Sequence, residues 1–226
     1  MIRRMGLRAA ALVAALTLAA CASDNRPPGI GATLAKTFGG VVLGRGGDGA
    51  SPASMTAADI ATLDGPAVRV LVNATGQSLI MRGVARNDRR VTYETPDGGR
   101  SVVLMDGILV ATRGFGADLM GTRVGALPAI LARGGASPTA YTRSYETLSG
   151  SDAIRVFEVP CAAVREGRET VEVGGRTVDA VKITEGCQAG GGSTLLNYYW
   201  LSGGRVVKSS QFVADGLGFI EIETLR

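Results

Sequence analysis

Glu221 and Glu223 stand two residues apart in the stretch "GFIEIETLR". Two carboxyl groups are the minimum equipment of a glycoside hydrolase. On a β-strand, residues two apart share a face and lie roughly 6.6–6.8 Å apart by strand rise, within the ~5–9.5 Å separation at which such a pair can work. The same alternation sends Ile220 and Ile222 to the other side, so the simpler reading is a strand with one core face and one solvated face. Lys208 and Ser209 are adjacent, and strand neighbours point to opposite faces, which works against a Ser-Lys proton relay. The chain has no His, which excludes Ser-His-Asp and Cys-His nucleophile systems. With three Cys in all, it also has too few ligands for a zinc site of the usual types. The glycine-rich "FGGVVLGRGGDG" of residues 38–49 lacks the Gly-Lys-Ser/Thr ending of a phosphate loop and reads as a flexible loop. No cofactor is expected.

The stretch Asn197-Tyr198-Tyr199-Trp200 holds the single Trp and two of the five Tyr. By alternation Tyr198 and Trp200 share a face. Aromatic faces stack on sugar rings, but they also suit half-buried strand positions. With aromatics at 5% of the chain, packing is the preferred reading, and glycan contact by Tyr198 and Trp200 is the alternative.

Cys21 offers a different chemistry. Arg3, Arg4 and Arg8 precede an uncharged run from Ala9 to Ala20, the form of a secretory signal. As a helix that run covers only about 18 Å, against a hydrocarbon core of roughly 30 Å. The tripeptide Leu18-Ala19-Ala20 before Cys21 resembles the lipobox of bacterial lipoproteins. The resemblance implies that the Cys21 thiol is diacylglycerated, the chain is cut before it, and the new amino group is acylated. Residues 1–20 are then a lipoprotein signal peptide, and two or more acyl chains make a stable anchor. Ala22 stands where Asp would retain many such proteins in the inner membrane, so the resemblance points to the outer membrane, with the domain on its periplasmic face.

Loss of Arg3, Arg4 and Arg8 takes the 24 basic residues to 21 against 20 acidic ones, and no electrostatic case for nucleic acid remains. Lysines occur only at positions 36, 182 and 208. The positive groups are therefore almost all guanidiniums, suited to carboxylates or phosphates. Export through an oxidising compartment favours a disulfide between Cys161 and Cys187 over two separate buried thiols. Closing that loop contributes about 3 kcal/mol in the chain-entropy model.

The elements that must carry these residues follow from pattern and punctuation. Residues 21–54 are rich in Gly, Pro, Ala and Asp and read as a flexible tether, with the apolar island Phe38–Leu43 able to dock as a strand or short helix. Thr56-Ala-Ala-Asp59 opens a short helix that Gly65-Pro66 ends. Then the period becomes two: "AVRVLVN", "SLIMRGVAR", "RVTYET", "RSVVLMD" and "ILVATRG" are separated by turn-forming residues such as Asn87-Asp88 and Asp106-Gly107. "ADLMGTRVGALPAILARGG" is more helix-like and is expected to cross between two groups of strands. The second group runs through "TAYTRSYETL", "AIRVFEVPC", "REGRETVEV", "RTVDAVKITEGC", "TLLNYYWLS", "RVVKSSQFVA" and "GFIEIETLR". The expected architecture over residues 55–226 is a single all-β domain. It is an antiparallel meander of eleven or twelve strands forming a strongly curved sheet or open barrel, with one or two short helices.

At this level the chain resembles the YjbF-type lipoproteins, also called the group 4 capsule polysaccharide lipoprotein family. The residues that carry the resemblance are Met55–Leu63, "DGILVATRGFGADL" from Asp106 to Leu119, and "NYYWLSGGRVVKSSQFVADGLGFIEIETLR" from Asn197 to Arg226. Cys161, Cys187 and "GRETVEVGGRTVDAVKITEGC" from Gly167 also fit its pattern. Thr112-Arg113-Gly114 followed by Asp118-Leu119 is the most distinctive phrase. The resemblance implies an all-β, non-enzymatic outer-membrane lipoprotein that serves exopolysaccharide or capsule production and export, with other export proteins or the polysaccharide as partners. It carries over no catalytic residue. Two alternatives stay open: a lipid or lipoprotein carrier with an apolar pocket inside the curved sheet, and a glycan hydrolase working through carboxylates alone.

Overall fold

The computed structural model describes residues 57–135 and 139–226. The predicted signal peptide, Cys21, the tether and the Phe38–Leu43 island lie outside the described residues. After a short helix α1 (Ala57–Ala61) come β1 (Ala67–Val72), β2 (Gln77–Asn87), β3 (Arg90–Glu94), β4 (Ser101–Met105), β5 (Ile108–Arg113) and β6 (Leu119–Arg123). Helix α2 (Leu127–Ala132) leads to β7 (Thr139–Leu148), β8 (Ile154–Val173), β9 (Arg176–Gln188), β10 (Thr194–Ser202), β11 (Arg205–Ala214) and β12 (Gly218–Thr224).

The strands form one 12-stranded sheet in the order β5-β4-β3-β2-β1-β12-β11-β10-β9-β8-β7-β6. Strands adjacent in the sheet are neighbours in sequence except where β1 meets β12, and each pairing is antiparallel. This is the predicted meander, curled into a nearly closed barrel. Its hairpins follow from turn chemistry: Asp106-Gly107, Gly174-Gly175 and Gly203-Gly204 all take positive φ at both positions, as a two-residue turn that matches strand twist requires.

The two sheet ends, β5 and β6, are consecutive in sequence, and side chains bridge them where backbone pairing stops. Thr112 Oγ1 accepts the Leu119 N–H at 2.9 Å and donates to Asp118 Oδ1 at 2.7 Å. Arg113 donates to the carbonyls of Leu119 and Met120 at 3.1 and 3.2 Å. Asp118 also accepts the N–H groups of Gly114 and Phe115 at 2.9 and 3.2 Å. The phrase that singled out the family in sequence is this splice.

Farther along, the free edge of β5 points into the protein. Leu109 packs in one core cluster with Val68, Met81 and Tyr145, while Ile108 and Val110 pack in a second with Leu127, Ile130 and Tyr199. Both faces of the strand are buried, so its unpaired backbone groups need partners other than water. Gln211 of β11 supplies two, accepting the Leu109 N–H at 2.9 Å and donating to the Gly107 carbonyl at 3.0 Å. Arg143 of β7 donates to the Leu109 carbonyl at 3.4 Å. Its own charge meets Glu185 of β9 at 2.6 Å, and both side chains are fully buried.

Two segments differ from the sequence reading. "AIRVFEVPC" and "REGRETVEV" run on as one strand, β8, because Gly167 is accommodated by a bulge between Arg165 and Gly167 instead of ending the strand. Residues 154–160 pair with β7 alone, so Pro160 sits where one edge of the strand is free. "ADLMGTRVGALPAILARGG" is strand first and helix second: Leu119–Arg123 pairs with β7 before Leu127–Ala132 turns helical.

Two outcomes test this frame. Gly114 has φ +83°, and a Cβ there would lie 2.1 Å from the Gly99 carbonyl oxygen, so Gly114→Ala is expected to lower stability by about 3 kcal/mol, read from the urea midpoint. Glu185→Gln strands the Arg143 charge and is expected to cost about 3–5 kcal/mol. The exposed Glu172, bonded to Thr177 at 2.7 Å, supplies the control, since Glu172→Gln should stay within about 0.5 kcal/mol.

Candidate functional site

One gathering of titratable groups that sequence reading missed is buried in the barrel. Around the Arg143–Glu185 pair, Glu185 accepts from Tyr141 Oη at 2.7 Å, Asn197 Nδ2 at 2.7 Å and Tyr199 Oη at 3.1 Å. Arg143 lies over the Tyr145 ring, 4.9 Å from its centroid. Burial pushes the Tyr199 phenol well above its ordinary value, with Glu185 adding to the shift and Arg143 opposing it. Tyr141 rises for the same causes. Tyr145 rises through burial, opposed by Arg143. Burial disfavours the Arg143 charge, but Tyr199 and Glu185 outweigh it and hold the guanidinium firmly protonated. Arg143, Glu185, Asn197, Tyr145 and Tyr199 are all buried, and they bond to one another, to Tyr141, Thr122 and Gln211, and to the backbone of Leu109 and Phe212. Such a closed network specifies packing.

The signal for these residues was parity. Asn197 alternates with Leu195, Tyr199 and Leu201, and Arg143 with Tyr141 and Tyr145, so each occupied an inward position.

Cys161 and Cys187 are register partners on β8 and β9 and form a disulfide with Cα atoms 4.0 Å apart. Among the described residues, Cys161, Cys187 and Glu185 bring potential metal ligands within 4.8 Å. The two sulfurs bind each other, leaving no thiolate for a metal.

On the outside of the barrel, Tyr198 and Trp200 do share a face. Their ring centroids are 6.1 Å apart, tilted by 36°. The register places Lys182, Trp200, Lys208, Glu223 and Arg69 in one row across β9, β10, β11, β12 and β1. Lys182 lies 5.1 Å from the Tyr198 centroid and 5.7 Å from that of Trp200, and no carboxylate among the described residues forms an ion pair with it. Two half-buried rings and an unpaired ammonium can meet a sugar carrying a negative group.

Glu221 and Glu223 lie on that face as well, opposite the buried Ile220 and Ile222. The expected solvation of both carboxylates is corrected: Glu223 is 7% exposed. The β8–β9 hairpin folds back over β12, and its Gly174 N–H donates to Glu223 Oε2 at 2.8 Å. Arg69 donates to the same oxygen at 2.5 Å. Lys208 bridges both carboxylates, 2.9 Å from Glu221 and 3.5 Å from Glu223. A hydrogen bond from Trp200 Nε1 to Glu169 ties β8 to the same face. The carboxylates are thus spent on cations and backbone, without an open gap between them. Ser209 points the other way into the core and accepts from Gln211 at 2.9 Å, so Lys208 and Ser209 stand on opposite faces as expected.

A family model described as "Group 4 capsule polysaccharide lipoprotein gfcB, YjbF" matches residues 31–225. No curated protein matches the sequence. Among solved structures, the chain is similar to the crystal structure of the hypothetical lipoprotein YmcC from Escherichia coli (K12). That similarity has a TM-score of 0.66 and 16% identity, and covers 89% of this chain and 97% of that one. At this identity the likeness shows a shared fold.

The raised phenols set an alkaline limit. Below about pH 10 tyrosines are protonated in both folded and unfolded chains, and the network contributes in full. Above it the unfolded chain releases those protons while Tyr141, Tyr145 and Tyr199 hold theirs, so stability falls as pH rises toward the raised folded values. Tyrosinate absorbance from these three is expected to appear together with loss of the folded circular dichroism signal, not before it.

Proposed function

Since the chain belongs to the YjbF family, that of the group 4 capsule polysaccharide lipoproteins, we propose that it is an outer-membrane lipoprotein acting as a non-catalytic accessory in exopolysaccharide or capsule production or export. The observation that carries this reading is the extent of the match, residues 31–225, which takes in the whole barrel. The lipid on Cys21 holds the domain to the periplasmic face of the membrane. Confinement to one surface raises its effective concentration near export machinery without any new contact. The barrel then works through protein or polymer contacts, with Tyr198 and Trp200 as the glycan-facing residues.

The other two readings have less support. A carrier needs apolar space between the sheet walls, and there the Arg143–Glu185 network and the two apolar clusters pack together. A carboxylate hydrolase needs two free groups facing one cleft, and Glu221 and Glu223 share Lys208.

The test is secretion of exopolysaccharide by a deletion strain complemented with variants. Cys21→Ala is expected to release or mis-sort a folded protein and abolish complementation. Glu221→Gln/Glu223→Gln should complement as wild type does. A Cys21→Ala protein that stays membrane-bound would overturn the anchoring claim, and failure of a folded, correctly sorted carboxylate variant would restore the hydrolase.

A further inference from the structure

At one end of the barrel, between the β2–β3, β4–β5 and β10–β11 turns, lies a cavity of about 440 Å³, a size typical of small-molecule sites. Its lining is chemically lopsided. Four guanidiniums, Arg86, Arg89, Arg205 and Arg226, face a single carboxylate, Asp106.

Two of the four already have employment. Arg89 forms an ion pair with Asp106, and Arg226 donates to the carbonyls of Ala61 and Leu63 at 3.2 and 2.6 Å. Arg86 and Arg205 make no ion pair with any carboxylate among the described residues. Both are exposed at the rim. Below them the wall is apolar: Val91, Leu104, Ile108, Leu131 and Val206 are all buried residues that also line the cavity. Tyr93 joins this wall, and burial keeps its phenol protonated above the ordinary range against the pull of Arg86. Gly107 lines the cavity where a Cβ would lie 2.5 Å from Val206 Cβ, so the β4–β5 turn comes this close to β11 only because it has no side chain.

We propose that this cavity is a binding site for an anionic sugar, a pyranose ring bearing a carboxylate or a phosphate. The ring's C–H face lies on the apolar wall, and its hydroxyls meet the Tyr93 hydroxyl and the turn backbone. The charged group sits between Arg86 and Arg205, whose planar forks match the two oxygens of a carboxylate or phosphate. Asp106 stays paired with Arg89 and does not oppose the anion. The site lies apart from the Tyr198–Trp200 face and shares no residue with it. The proposed capsule role bears only on where such a sugar would come from, so loss of binding in vitro and loss of secretion in cells are separable outcomes.

The experiment is a titration of the purified full chain with galacturonate, with galactose phosphate and with neutral galactose. Binding is followed by calorimetry and by the Arg Nε–H resonances in NMR. Saturable binding of at least one anionic sugar is expected, perturbing Arg86 and Arg205, with no matching response to galactose. Preference for galacturonate would assign a uronate residue, and preference for galactose phosphate a phosphorylated sugar. Arg86→Gln/Arg205→Gln should weaken binding at least about tenfold, equivalent to about 1.4 kcal/mol. Arg86→Lys/Arg205→Lys, which keeps the charge but loses the fork, should fall between. Both variants replace exposed side chains and should keep the wild-type urea midpoint. Binding of neither anionic sugar in the millimolar range, equal binding of galactose, or affinity unchanged in the Gln variant would overturn the proposal.

Discussion

The structure depends on how one strand edge is satisfied away from water. β5 enters the interior with apolar partners on both faces, so the N–H and carbonyl of Leu109 cannot be left to solvent. Two long side chains from across the barrel, Gln211 and Arg143, take the place of a neighbouring strand. Arg143 can do so only because Glu185 balances its charge, and Glu185 in turn gathers Tyr141, Asn197 and Tyr199. A buried ion pair is seldom a net gain in stability compared with apolar packing. Here it serves a positional end: it lets an edge strand be buried without a partner strand and removes an edge open to association.

Much of the barrel was legible because its turns announce themselves. Asp106-Gly107, Gly174-Gly175 and Gly203-Gly204 are residues that adopt positive φ cheaply, and between them the apolar pattern alternates cleanly. The places that misled are those where two local signals competed. Gly167 reads as a break in isolation but is absorbed as a bulge, because β9 pairs with β8 on both sides of it. Leu119–Arg123 carries a mixed pattern, and its strand character comes from β7 alongside. The burial of Glu223 depends on a hairpin tip about fifty residues away in sequence, which no local period encodes. The inner polar network was hidden for a related reason: binary patterning reads an inward Arg or Glu as an error, and only the partners make it an asset.

The outside of the barrel divides its charge unequally. On the β9–β12 face the acids and cations are largely matched, through Lys208 with Glu221 and Glu223 and through Arg69 with Glu223. At the barrel end, guanidiniums outnumber carboxylates four to one. A chain with 24 basic and 20 acidic residues can therefore present a local positive site without bulk basicity. Such local asymmetry, more than net charge, is what a small anionic partner meets.

The pairing of β1 with β12, from Val68 opposite Thr224 to Val72 opposite Ile220, has a consequence in time. Of the described strands a ribosome makes β1 first and β12 last, so β1 waits for the other eleven before one of its edges is covered. Hairpins between sequence neighbours close with little loop entropy, whereas this closure spans the domain and is entropically the dearest of the set. The barrel thus has a built-in late step: local hairpins can form in any order, but β1–β5 and β6–β11 are joined by backbone pairing only when β12 is made. Until then, the chain remains an open sheet that can still be threaded or held extended.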